Sequence, residues 1–120
     1  MQTHTIAPAN WRNTLDSLSR IADGSSGSLE ILRDDMGAQY EVEEVPLRGI
    51  SCDSSGIELH FALRDGRHFV HRIEHPRSVK LEEQDDGTIA ALEIDSDDDP
   101  RAVLRFHAPL ASRLLPRGEA

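Results

Sequence analysis

Ile57-Glu58-Leu59-His60-Phe61-Ala62-Leu63-Arg64-Asp65-Gly66-Arg67-His68-Phe69-Val70-His71-Arg72-Ile73-Glu74 is the stretch that decides the fold. Ile57, Leu59, Phe61 and Leu63 alternate with Glu58, His60, Ala62 and Arg64. A period of two marks a strand with one face buried. Asp65-Gly66 is a favoured two-residue hairpin turn, so His68–Glu74 is expected to return as the partner strand. His75-Pro76 ends it, because proline has no N–H for a ladder.

The same period continues on both sides of this hairpin. Upstream, Ser28–Arg33, Ala38–Val45 and Leu47–Cys52 are strand candidates, with Pro46 closing the second. Downstream, Val79–Glu83, Thr88–Asp95 and Ala102–His107 follow, separated by Gln84-Asp85-Asp86-Gly87 and by the acidic loop Ser96–Pro100. Only the start of the chain changes period. Trp11, Leu15, Leu18 and Ala22 fall on one face of a helix, opposite Arg12, Asn13, Asp16 and Arg20. Pro8 suits its first turn and Gly24 its C-terminal cap.

One helix followed by seven to eight short strands predicts an α+β chain, mostly antiparallel β. The N-terminal helix is expected to pack on a curled meander sheet or small barrel, with Trp11 inserted in the core. Residues 1–108 are read as a single helix-plus-barrel domain. Residues 109–120 are read as a flexible C-terminal tail in preference to a helical turn, since chain ends fray unless tied down. Leu, Ile, Val and Phe supply about a quarter of the 120 residues, enough for a packed core without disulfides or metal.

Charge narrows the partners. Against 13 Lys and Arg stand 22 Asp and Glu, a formal net charge of −9. A nucleic-acid backbone and an anionic membrane surface are therefore expected not to be partners. A single cysteine, Cys52, fits a reducing compartment. With no apolar leader and no run of membrane-spanning length, a cytoplasmic location is expected.

The chemistry-bearing residues are few. The sequence has no Gly-x-Ser-x-Gly, no Walker loop and no Gly-x-Gly-x-x-Gly after a strand, so an enzyme is not expected and no cofactor is called for. Cys52 reads as a small buried hydrophobe rather than a nucleophile. Asp34-Asp35, Asp85-Asp86 and Asp97-Asp98-Asp99 lie in turns and lack the spacing of a calcium loop. Tyr40 could line a pocket. A two-residue turn at Asp65-Gly66 would set His60 opposite His71, with Glu58 on the same face. Two imidazoles and a carboxylate could bind a metal, but that face offers no fourth ligand and no evident acceptor to orient the rings, so no specific metal binding is expected there.

Several segments resemble a small bacterial family, domain of unknown function 5335. They are Ile6, Pro8, Trp11 and Ser19-Arg20; Pro46–Asp53; His71–Pro76 with Val79; and Leu92–Ser96 followed by Leu104-Arg105-Phe106. The resemblance spans residues 1–107 and departs at Asp99-Pro100, where a glycine turn would be expected. It implies no catalytic or binding residue. The function expected is therefore a non-catalytic domain that binds a partner protein or forms a homo-oligomer. The alternative is a small-ligand or metal-binding β-barrel with His60 and His71 near its site.

Overall fold

The computed structural model describes residues 1–97 and 100–111. After strand β1 (Gln2–Ile6) comes a single 3-10 turn, Pro8–Asn10, that runs into helix α1 (Trp11–Ala22). Strands β2 (Ser26–Arg33), β3 (Gly37–Cys52), β4 (Gly56–Ala62), β5 (His68–Glu74), β6 (Pro76–Glu83), β7 (Thr88–Ser96) and β8 (Arg101–Ala111) follow. They form one antiparallel sheet in the order β1-β6-β7-β8-β2-β3-β4-β5, which is not closed into a barrel. The sheet therefore joins two meanders, β2 to β5 and β6 to β8, through the β8–β2 pairing, with β1 added outside β6.

The long strand β3 makes the fold. Its first part pairs with β2, as in Val45↔Gly27, and its second part with β4, as in Leu47↔Phe61. Pro46 stands at the change-over and continues the strand rather than ending it, so two expected strands are one. Both halves carry irregularities. Glu44 takes a positive φ of 48° and donates its N–H to the Ser28 hydroxyl at 2.8 Å. A register shift at Arg48 then re-aims the chain. Helix α1 supports this bend: the Ser19 hydroxyl accepts the Ile50 N–H at 2.9 Å, and the Leu47 carbonyl accepts the Gly24 N–H.

The helix stripe is buried as its spacing predicts. Leu15, Leu18 and Ala22 are fully buried against the inner face of the sheet, where Leu29, Leu47, Leu59, Phe61, Ile73 and Leu104 meet them. Burying a leucine side chain in this way is worth about 1.5–3 kcal/mol. Trp11 differs from the expectation. It is partly buried at the rim, packed against the core rather than inserted in it, and its indole N–H donates to the Ile6 carbonyl at 2.9 Å. No helix among the described residues is long and apolar enough to cross a membrane.

Both chain ends correct the sequence reading. Gln2–Ile6 pairs with β6 from Gln2↔Glu83 to Ile6↔Val79, forming an unforeseen strand. At the other end, β8 runs on to Ala111, past the boundary drawn at residue 108, because Leu110 pairs with Ile89 and is buried. Residues 112–120, the rest of the expected tail, lie outside the described residues. Asp98 and Asp99 also lie outside them, and with Asp99 the first half of the departure at Asp99-Pro100.

Leu110 is thus a core residue at the end of the last strand. Leu110→Ala is expected to cost about 2–4 kcal/mol, as buried leucine truncations do. Urea denaturation would show this as a lower midpoint, whereas a frayed tail would leave the midpoint unmoved.

Candidate functional site

The β4–β5 hairpin carries a dense set of polar contacts, and its turn sets which side chains meet. Leu63 N–H donates to the Arg67 carbonyl at 2.8 Å and Gly66 N–H to the Leu63 carbonyl at 2.9 Å. The loop therefore has three residues, Arg64, Asp65 and Gly66. Gly66 takes the left-handed φ of 88° that such a loop demands. Asp65 stabilises it by accepting the Arg67 N–H at 3.0 Å, which holds the carboxyl below its ordinary pKa.

One extra loop residue shifts the register by one and changes every pairing on the hairpin. His60 lies opposite Val70, while His71 lies opposite Leu59 on the inner face with Phe69 and Ile73. His60 and His71 therefore point to opposite sides of the sheet and form no pair. His68 takes the place expected of His71: its Nε2 is 3.1 Å from His60 Nδ1. Glu58 stays with His60, its Oε1 3.2 Å from His60 Nε2. Among the described residues no group of three or more His, Cys, Asp or Glu is arranged to hold a metal.

Next along this outer face is Arg72, which the sequence reading passed over. Its guanidinium donates to Glu58 at 3.0 Å, to Asp53 at 3.1 and 3.2 Å, to the Ser55 hydroxyl at 2.9 Å, and to Glu74. Asp53 sits in the β3–β4 turn and also accepts the Ser55 and Gly56 N–H groups at 2.9 and 2.8 Å. The Arg72 hydrogen bonds come first among the forces that hold the Asp53 carboxyl far below the usual carboxylate range. Gly56 makes room for this arrangement. A Cβ there would lie 2.7 Å from the Ile73 carbonyl oxygen and 2.8 Å from the Arg72 guanidinium.

Beside that turn lies a half-open cleft of about 570 Å³. The start of the helix (Pro8, Trp11, Arg12), the end of β3 (Cys52, Asp53) and the corner His75-Pro76 line it. Segments that carry the resemblance, distant in sequence, converge here. Cys52 is partly buried in its wall. Burial pushes the thiol pKa up, aided by Asp53 and Asp16 and opposed by Arg12, so the thiolate is disfavoured. Tyr40 does not contribute to this wall; it is 51% exposed on the first half of β3.

A second polar centre lies where β6, β7 and β8 meet. Asp95 is buried, which alone would raise its pKa, yet the net shift is downward. Arg101 donates to it at 2.7 Å and the Ser78 hydroxyl at 3.1 Å. This joins β6, β7 and the start of β8 and reads as a structural tie. The acidic turns at Asp34-Asp35 and Asp85-Asp86 are exposed. The N-terminal ammonium reaches Asp85 at 2.7 Å.

Comparison with known proteins gives a consistent result. A protein-family model described as "Family of unknown function (DUF5335)" matches residues 2–114. An uncharacterized protein of Aquifex aeolicus (strain VF5) is 31% identical over 106 residues, covering 88% of this chain and 93% of that protein. No solved structure matches.

Two outcomes test the Arg72 centre. Gly56→Ala is expected to destabilise by roughly 1–3 kcal/mol, the usual cost of forcing atoms into a filled site. A thermal melt unchanged from wild type would contradict the close approach. The Asp53 carboxyl has a lower pKa folded than unfolded. Its contribution is therefore present above its unfolded value, about 3.9, and is lost as pH falls toward the folded value. Asp53→Asn should lower the urea midpoint at pH 7 and flatten its fall below about pH 4.

Proposed function

The chain belongs to DUF5335, a family of unknown function, and we propose that it is a non-catalytic cytoplasmic domain that self-associates through the free edge of β5. The observation that carries this reading is the unfinished hydrogen bonding of that strand. Leu63 pairs with Arg67 and Ser55 with His75 through their backbone groups. Odd-numbered residues of β5 therefore bond β4. By alternation, His68, Val70 and Arg72 direct their N–H and C=O groups away from the sheet. β5 is the last strand in the order, so no further strand pairs with it among the described residues.

The other edge is less inviting. β1 reads Gln-Thr-His-Thr-Ile and is exposed for four of its five residues. β5 is a seven-residue strand without proline or lysine, with Val70 40% exposed. Such an edge is a template for a strand of a second copy. An isologous pair would arise from a two-fold axis near Val70.

Two further observations favour this reading over a ligand-binding barrel. The interior is filled by Phe61, Leu59, Leu92 and their neighbours, all fully buried, and the cleft at Trp11 is half-open rather than deep. The pairing of His60 with His71, on which the barrel alternative rested, is absent.

Val70→Pro separates the possibilities. Residue 70 directs its N–H outward, so proline removes an edge donor without breaking a bond to β4. Native mass spectrometry and light scattering should find wild type as a dimer at micromolar concentration and the variant as a monomer with an unchanged far-UV spectrum. A monomeric wild type, or an oligomer indifferent to Val70→Pro, would overturn the proposal.

A further inference from the structure

The outer face of the same hairpin presents a second feature that needs no partner strand. His60 and His68 stand on adjacent strands with Nδ1 and Nε2 3.1 Å apart, ring centroids 5.3 Å apart and planes tilted by 52°. Two nitrogens bound to one tetrahedral zinc, each at about 2.0–2.1 Å, are separated by roughly 3.3 Å. The nitrogens need to part by only a few tenths of an ångström, and each ring turns by roughly 35° so that its lone pair leaves the N–N line and meets a shared ion.

The tautomer of His60 is set in the sense that chelation needs, and that of His68 changes on binding. The Glu58 carboxylate, 3.2 Å from His60 Nε2, favours the proton on that nitrogen and leaves the lone pair on Nδ1. His68 Nε2–H is then the donor between the rings. A carboxylate behind a ligating imidazole is the arrangement that fixes ring orientation and raises ligand basicity at metal sites. Glu58 is itself held by Arg72 at 3.0 Å, and Arg72 by Asp53, so the carboxylate is anchored. His68 is exposed and the His60 side chain is 26% exposed, so a hydrated ion can reach both.

We infer that His60 Nδ1 and His68 Nε2 form a two-ligand chelate for a borderline divalent cation such as zinc, with Glu58 as the positioning residue. The ion replaces the proton between the rings. That proton moves to His68 Nδ1, so both imidazoles stay neutral and the remaining coordination positions are filled by water. Imidazole donors suit zinc, nickel and copper, not calcium or magnesium. Two protein ligands, against the three or four of dedicated zinc sites, make the affinity weaker than theirs.

Calorimetric titration of the full chain with zinc chloride at pH 7.5 tests this. One-to-one binding is expected. It should weaken at least about 10-fold in His60→Ala and in His68→Ala, and about 10-fold in Glu58→Gln, the usual effect of losing the carboxylate behind a ligand. His71→Ala and Cys52→Ser should bind as wild type does. Nitrogen-15 spectra of the histidines should report metal on Nδ1 of His60 and Nε2 of His68, a signature that general destabilisation would not produce. Binding that survives His68→Ala, binding lost in Cys52→Ser, or no saturable binding below millimolar zinc would overturn the inference. None of these outcomes depends on whether β5 pairs with a second copy, because Val70→Pro leaves both rings in place.

Discussion

A single residue, His75, separates β5 from β6, yet five strands lie between them in the hydrogen-bonded order. Strands in a flat sheet are about 4.8 Å apart, so six steps would place them roughly 29 Å apart. One intervening residue spans only about 7 Å. The sheet must therefore curl until the end of β5 meets the start of β6. His75 makes the corner with a left-handed φ of 50°, an uncommon conformation for a residue with a side chain and one that sits before a proline. The concave interior, the bend in β3 and the seat for α1 follow from that curl. The sheet stays open because its two edge strands, β1 and β5, do not pair with each other.

Elements with a strong period were legible in the sequence, and those without one were not. The helix stripe Leu15, Leu18, Ala22 and the alternation of β4 are both buried as their spacing dictates. β1 has no such signal, because an edge strand with polar residues on both faces leaves no apolar alternation to read. Pro46 misled for a related reason. Proline interrupts a ladder only where its N–H would face a partner, and here it stands where β3 exchanges β2 for β4. Leu110 and its neighbours look like a tail in isolation; they are a strand because β7 extends far enough to pair with them.

The candidate site was half legible, and the missing half came from one residue of loop length. Asp-Gly is compatible with both two- and three-residue hairpin loops. The longer loop moved His71 to the inner face and brought His68 to His60. Glu58 was placed correctly beside His60, because residues two apart on one strand share a face whatever the register. Arg72 was missed because its main partner, Asp53, lies in a different turn. The segments that carry both residues had each been noted in the family resemblance, but only the fold shows that they touch.

These features concentrate on β5 for a physical reason. A strand bonded on one side only has the least backbone support in a sheet, so its order depends on cross-strand side chains. On the inner face Ile73 is fully buried and Phe69 packs partly against the core. On the outer face the work falls to Arg72 with Glu58 and to His60 with His68. Any species that binds the ordered strand and not the frayed one, whether a second edge or a cation between the imidazoles, stabilises the same conformation by mass action. The two proposals therefore differ in chemistry but converge on one equilibrium, the ordering of His68–Glu74 against β4.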